Sequence, residues 1–320
     1  MTRITYIVPV LNEQENIIST SEAIKASFKD SGIDEYEILF IDDGSSDDTY
    51  SLLCYLCEGE EDIKAIRLSR NFGHQAAVSA GMRYASGDLV AVIDGDLQDP
   101  PEVINSFLQY VGEGYDVVYG VRTKRKEGLH KRFAYHLFYR LLQRLSNIQI
   151  PLDSGDFCLL TRRAVMLMNE VPEVNRYVRG IRSYIGLRQI GVKYERHARY
   201  QGESKYTISK LLRLASDGIF NFSDRPIKLT IFLGFCVSSV SFITAVLFAL
   251  WRLTDIRVMG HSAIEVPGYA SIIFAISFLS GIQLLTLGVI GEYIARIFTE
   301  SKGRPGYLIW ETKNIQLKNF

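Results

Sequence analysis

The stretch Val90-Ala91-Val92-Ile93-Asp94-Gly95-Asp96-Leu97-Gln98-Asp99-Pro100-Pro101 changes character at its middle. Its first four residues are the apolar, β-rich run of a buried strand. Two carboxylates follow, Asp94 and Asp96, with a glycine between them. The two prolines beyond suit the first turn of a new helix. Carboxylates at i and i+2 where a strand ends face one crevice, and hard divalent cations such as Mg²⁺ or Mn²⁺ take oxygen ligands of that kind. Alone, the stretch reads equally well as an Asp-Gly turn after a strand. Its surroundings decide.

Upstream, strand-like and helix-like segments alternate. Residues 4–10, 36–41, 63–68 and 88–93 read as strands, and 116–120 as a further one. Helices are expected to about Phe28, over 48–58, over 75–85 and over 101–112. Asn12 is placed to cap the first of them, with Glu13 and Glu15 at its positive end. Such alternation builds βαβ units and a largely parallel α/β sheet. Ligands of such sheets bind outside the carboxyl ends of the strands. Four polar clusters fall there: Asn12/Glu13/Glu15, Asp42/Asp43, Arg70/Asn71 and Asp94/Asp96. Neither GxGxxG nor GxxxxGK[ST] occurs, which disfavours a dinucleotide fold or a P-loop.

Downstream the chain turns basic, then apolar. A basic loop, 121–126, precedes an expected amphipathic helix over 128–146 that carries Lys131, Arg132, Arg140 and Arg144, suited to an anionic membrane surface or, as the plainer alternative, to an ordinary packed helix with a solvated face. Asp156 follows a turn into a short strand, 157–160, and enters the crevice of Asp94 or serves as a turn residue. Residues 177–188 read as an aromatic and basic helix. Arg199, Ser204 and Lys205 flank Gly202 and are donors of the type that holds phosphate. A second amphipathic segment runs over 208–222. Ile227–Trp251 then carries one charge, Lys228, and Pro267–Gly291 none. Each is roughly 25 residues, enough to cross a ~30 Å hydrocarbon core at ~1.5 Å per residue. Basic residues on the outer flanks put both chain ends in the cytoplasm. Small residues in the second span (Gly281, Gly288, Gly291) allow close helix packing and hence a homo-oligomer such as a tetramer.

Composition agrees with a polar part joined to an apolar one. The 320 residues balance 36 basic against 36 acidic side chains, so nothing points to nucleic acid. Residues 1–10 open directly as a strand, without a secretory signal. Cys54 and Cys57 form a lone CxxC without a second pair, which favours two small apolar residues on a helix over zinc. From the residues alone the chemistry is metal-assisted transfer at a membrane surface: a cation at Asp94/Asp96 would neutralise a pyrophosphate leaving group. Arg122, Arg132, Arg199, Ser204 and Lys205 would hold an acceptor phosphate.

Pro9-Val10-Leu11-Asn12-Glu13, Asp42-Asp43-Gly44-Ser45, Asn71-Phe72-Gly73, Gly87-Asp88 and Asp94 to Glu102 resemble, in order, the motifs of family 2 glycosyltransferases with the Rossmann-like GT-A fold. Arg199 to Tyr206, Gly291-Glu292-Tyr293-Ile294 and Lys302-Gly303-Arg304-Pro305 narrow the resemblance to polyprenyl-phosphate glycosyltransferases, with bactoprenol glucosyltransferases and dolichol-phosphate mannose synthase as relatives. The resemblance implies inverting transfer of a hexose, glucose from UDP-glucose first, to a polyprenyl (undecaprenyl) phosphate. It implies a catalytic domain over 1–200, a juxtamembrane segment over 201–225, two spans within 226–298 and a cytoplasmic tail over 299–320. Asp94 and Asp96 become the DxD pair on Mg²⁺ or Mn²⁺, with Gln98 as a further ligand. Pro9, Leu11, Glu13, Asp42, Asp43, Asp94, Gly95 and Asp96 line the nucleotide sugar. Asp156, Asp96 and Arg199 stand at the reacting centre, Asp156 as base or as positioning group. His74 and Cys158 depart from the family pattern, where basic residues are common. A QxxRW motif is absent, which argues against a processive polysaccharide synthase. GDP-mannose or another UDP-sugar is the alternative donor. A non-catalytic nucleotide-sugar-binding membrane protein and an anchored enzyme with a soluble acceptor are the competing classes.

Overall fold

The computed structural model describes residues 2–29, 31–122, 154–174, 176–195, 225–254 and 268–315. They fall into two units, each taken by itself: one built from 2–122, 154–195 and 303–315, the other from the long helices before residue 303.

The first unit is an eight-stranded sheet in the order β7-β5-β6-β4-β1-β2-β3-β8. Its strands are β1 (Arg3–Val10), β2 (Glu35–Asp42), β3 (Ile63–Leu68), β4 (Leu89–Val92), β5 (Val117–Arg122), β6 (Ser154–Thr161), β7 (Gln189–Tyr194) and β8 (Ile309–Lys313). The central four, β4-β1-β2-β3, are parallel, as is the pair β5–β7. β6 runs antiparallel between β4 and β5, and β8 antiparallel along β3. β1 and β2 are buried along nearly their whole length, as parallel strands covered on both faces must be.

Alternation along β1 divides the core. Ile4, Tyr6, Val8 and Val10 join one apolar cluster with α1 (Ile17–Lys29), α2 (Thr49–Gly59) and α4 (Val103–Gly112). Ile7 points the other way, where Gly81 of α3 (His74–Tyr84) abuts it. α5 (Arg162–Glu170) and α6 (Val178–Tyr184) follow β6. The expected strands and helices of the first 122 residues are all present, with ends moved by a residue or two. The expected cap is not: Asn12 sits at φ 52° and α1 starts only at Ile17. The Asn12 side-chain oxygen instead accepts the backbone amide of Ser46 at 2.9 Å, while the Asn12 backbone amide donates to Ser45 Oγ at 2.9 Å. It ties two loops together at the sheet edge.

β8 lies in the stretch that the sequence marks only as a tail. Asn314, just past it, donates its side-chain amide to the carbonyls of Cys57, Glu60 and Ile63 at 2.7, 3.2 and 2.9 Å. Leu308 accepts the amide of Ser69 at 2.8 Å, so the docked segment reaches the end of β3.

The second unit is two long helices in contact, α7 (Arg225–Thr254) and α8 (Tyr269–Ser301). Both expose large apolar side chains, among them Phe232, Phe235, Phe242, Leu284, Leu285 and Leu287, a surface that marks a membrane or a partner. Among the described residues one stretch is long and apolar enough to cross a membrane, Phe278–Ser301, with Ile227–Ile243 as a shorter apolar one. α8 runs past the expected end at Gly291. An ion pair between Glu292 and Arg296, 2.9 Å, supports the added turns. The helix stops where Gly303 takes φ 57° ahead of Pro305.

Candidate active site

β4 ends at Val92, and the Asp94-Gly95-Asp96 turn opens at its carboxyl end. A Cβ on residue 95 would stand 2.8 Å from Val10 Cγ1, so only glycine lets the turn close against β1. The Gly95 carbonyl accepts Thr20 Oγ1 at 3.1 Å, which anchors the turn to α1. Asp96 is nearly buried and its Oδ1 accepts the Gln98 amide at 3.2 Å. Between them Leu97 holds φ 54°, a conformation that costs a branched residue about 1–3 kcal/mol and persists only where the surroundings impose it. The turn is thus built to a shape.

Asp156, near the start of β6, is brought beside this turn. Its Oδ1 accepts Arg179 Nε at 2.9 Å, and its Oδ2 accepts Arg179 Nη2 at 3.2 Å and Gln75 Nε2 at 3.1 Å. His74 Nε2 lies 3.3 Å from Asp156 Oδ2 and 3.8 Å from Asp94 Oδ1. Burial works against ionising Asp156, but Arg179 and His74 outweigh it and hold the carboxyl well below the usual range. Burial likewise opposes a charge on His74, yet the hydrogen bond to Asp156 and the field of Asp94 lift the imidazole to about 9. Burial and repulsion from Asp99, Asp96 and Asp156 push the Asp94 carboxyl up, against the pull of His74. Negative charge is concentrated here, on oxygen donors alone.

That donor set fits Mg²⁺ or Mn²⁺. Among the described residues no group of three or more His, Cys, Asp or Glu is arranged to hold a metal unaided. Mg²⁺ does not need one: one or two carboxylates suffice where water and substrate phosphates complete the shell.

The other expected donor-side residues line the neighbouring strand ends. Pro9 is buried on β1 opposite Ile41, and Leu11 is half-buried just beyond. Glu13 accepts Asn16 Nδ2 at 2.6 Å, and its amide donates to Thr49 Oγ1 at 2.9 Å. Asp42 accepts the Ser45 amide at 3.0 Å, with Arg67 Nε 3.4 Å from its other oxygen. Asp43 spends both oxygens on the amides of Phe72, 2.7 Å, and Gly73, 2.8 Å. It shapes the loop that delivers His74 and Gln75. Arg122 ends β5 on the same edge, beside Gly155. Cys158 is buried in β6, where burial pushes its thiol up to about 11, so it supplies no charge. Arg132, Arg199, Ser204 and Lys205, with the basic segments 128–146 and 208–222, lie outside the described residues.

Two site residues escape a reading of the sequence. Arg179 was legible only as one of a run of arginines, Arg176, Arg179 and Arg182, spaced at helical intervals. Gln75 carries no motif, yet it bridges Asp156 and the Val178 amide, the latter at 2.8 Å.

Comparison with known proteins places the chain. The family model "Glycosyl transferase family 2" matches residues 5–167. The chain is 42% identical to an uncharacterized glycosyltransferase, YkcC, of Bacillus subtilis, over 98% of this chain and 94% of that one. It is 39% identical to the bactoprenol glucosyl transferase of Shigella phage SfV, over 97% of this chain and 99% of that one. A solved glucosyl-3-phosphoglycerate synthase from Mycobacterium tuberculosis shares 21% identity and a TM-score of 0.49 over 68% of this chain and 76% of that one, too slight a likeness to bear on substrate or metal. The motifs, the sheet edge that gathers them and the full-length relatives agree: the chain is an enzyme of glycosyl transferase family 2.

Proposed function

We propose that the enzyme moves glucose from UDP-glucose to a polyprenyl phosphate, with inversion at the anomeric carbon, at the cytoplasmic face of a membrane crossed by α7 and α8. The observation that carries this reading is the Asp94-Gly95-Asp96 turn opening beside an ion-paired Asp156 on one sheet edge. The bactoprenol glucosyl transferase relative, alike over nearly its whole length, supports the choice of acceptor. The long apolar helices support a lipid-borne one.

In this mechanism an acceptor phosphate oxygen attacks the anomeric carbon while the bond from that carbon to the diphosphate oxygen breaks. A phosphate monoester has a second pKa of about 6, so at neutral pH it attacks without losing a proton. Asp156 suits such a reaction. Held ionised by Arg179 and hydrogen-bonded on both oxygens, it is a poor proton acceptor and a good fixed negative charge beside a carbon that turns positive. Asp94, Asp96 and Gln98 would hold the Mg²⁺ or Mn²⁺. Bound there, such an ion would neutralise charge on the departing diphosphate. Pro9, Leu11, Glu13 and Asp42 line the nucleotide, and Asp43 acts through the Phe72–Gly73 loop. Arg122 meets the acceptor phosphate, the role that the sequence also suggests for Arg132, Arg199, Ser204 and Lys205.

The test is direct. Full-length protein in detergent is incubated with polyprenyl phosphate, Mg²⁺ and a panel of radiolabelled UDP- and GDP-sugars, and the lipid is extracted. Label from UDP-glucose is expected. Label from GDP-mannose alone would replace the donor, and no label from any donor would end the proposal.

A further inference from the structure

The turn after β4 carries a third acid that the mechanism above leaves unused. Asp99 is fully buried. Tyr194, at the end of β7, donates its hydroxyl to Asp99 Oδ1 at 2.5 Å. Arg122 Nε donates to the same Tyr194 oxygen at 3.3 Å, and Arg122 Nη2 lies 3.6 Å from Asp99 Oδ2. One hydroxyl therefore orients both a carboxylate and a guanidinium. Burial pushes the Tyr194 hydroxyl up, so it stays a donor at any working pH. The backbone makes room for the arrangement on both sides. A Cβ at Gly120 would stand 2.5 Å from the Tyr194 ring, and one at Gly155 would stand 3.1 Å from Arg122 Nη2.

The Arg122 side chain keeps 25% of its surface exposed and sits close enough to Asp94 for the two charges to interact. Asp94, Asp96 and Asp156 share this edge, and their combined field would draw an untethered arginine onto the metal-type pair. A tether at Asp99 holds it back from them. We infer that Asp99 and Tyr194 are positioning residues that hold Arg122 as the arm for the phosphate monoester headgroup of the acceptor. The inference rests on the polyprenyl-phosphate reading. Fixing one guanidinium rotamer before binding removes an ordering cost that the acceptor would otherwise meet.

The experiment compares Tyr194→Phe, Asp99→Asn and Arg122→Ala in the full chain, with thermal melting of each. Two quantities are read: KM for donor and acceptor, and direct binding of farnesyl phosphate without donor. Tyr194→Phe is expected to weaken farnesyl phosphate binding and raise acceptor KM about tenfold, with donor KM unchanged. In an Arg122→Ala background it should add nothing, because its effect passes through the guanidinium. An equal rise in both KM values, an additive double variant, or unchanged acceptor affinity would each overturn the inference, and a variant that fails to melt cooperatively is replaced by the Asp99→Asn comparison. The polyprenyl-phosphate reading fails separately. If the wild type binds farnesyl phosphate but makes no product, the reaction is wrong and the binding arm still decides the positioning. Orthophosphate competing as well as farnesyl phosphate would assign Arg122 to free phosphate rather than lipid and overturn the acceptor assignment. No binding at all overturns both.

Discussion

Arg179 grips Asp156 by both carboxylate oxygens, with Nε 2.9 Å from Oδ1 and Nη2 3.2 Å from Oδ2. The pair joins β6 to α6, and the guanidinium fork is the part that matters. Arg179→Ala is expected to lower kcat about 10²-fold, since it strips a fixed charge partner from the carboxylate proposed to face the reacting carbon. Arg179→Lys should recover only part of this, because an ammonium cannot serve both oxygens at once. Steady-state kinetics with polyprenyl phosphate check it.

Asp156→Asn keeps the shape and most hydrogen bonds but removes the charge. A loss of kcat by about 10²–10³ is expected, together with a new pH dependence below 9, because losing the carboxylate that lifts His74 to about 9 lets the imidazole fall toward its ordinary value. A variant with full kcat would show that the carboxylate takes no part in the chemistry.

Metal removal addresses the turn itself. EDTA should abolish lipid labelling, and Mg²⁺ or Mn²⁺ should restore it. Asp96→Ala should raise the metal concentration needed for half-maximal labelling at least about tenfold, because Asp94 alone holds the cation more weakly than the pair. Labelling that survives chelation would remove the metal from the proposal.

Glu37 ties acid stability to the sheet. It is buried on β2 and accepts Thr5 Oγ1 at 2.5 Å, Lys64 Nζ at 2.7 Å and the Ser86 amide at 2.8 Å. Burial pushes its carboxyl up, but these donors win and hold it below the ordinary glutamate value. A depressed folded pKa stabilises above the unfolded value of about 4.3 and is lost as pH falls through the folded one. Glu37→Gln should therefore flatten the acid limb of a stability–pH curve below about pH 4.3. Glu37→Ala should cost about 3 kcal/mol at neutral pH by stranding its partners. Denaturant melts across pH give both.

Asn314 is the lock on β8. Replacing it with alanine leaves the carbonyls of Cys57, Glu60 and Ile63 without its amide, a loss of about 1–2 kcal/mol. Hydrogen exchange should quicken at Ser69, whose amide is held by Leu308. Unchanged exchange there would mean that β8 is held by its ladder alone.

The sequence made the parallel half of the sheet legible because its strands are buried on both faces and so read as near-continuous apolar runs, Ile4 to Val10 interrupted only by Thr5, and Ile38 to Ile41. Asp94 and Asp96 were legible for a related reason: the end of such a run dictates where they sit. What escaped depends on partners distant in the chain. Arg179 is defined by Asp156, and nothing local to it announces that carboxylate. Ile309–Lys313 becomes a strand only because β3 offers an open edge. Asn12 has the composition of a cap, yet its φ of 52° and its bond to Ser46 are set by the neighbouring loop. The apolar run suggested a limit at Gly291, but the Glu292–Arg296 pair carried α8 beyond it.

The placement of β8 has a consequence for biosynthesis. The strand that covers the β3 edge is translated only after α7 and α8, so the nascent sheet waits, with one row of amides and carbonyls unpaired, until both long helices have left the ribosome. Any delay in handling those helices prolongs the life of an open edge. A catalytic fragment cut before Arg225 would keep that edge for good and should aggregate where the whole chain does not.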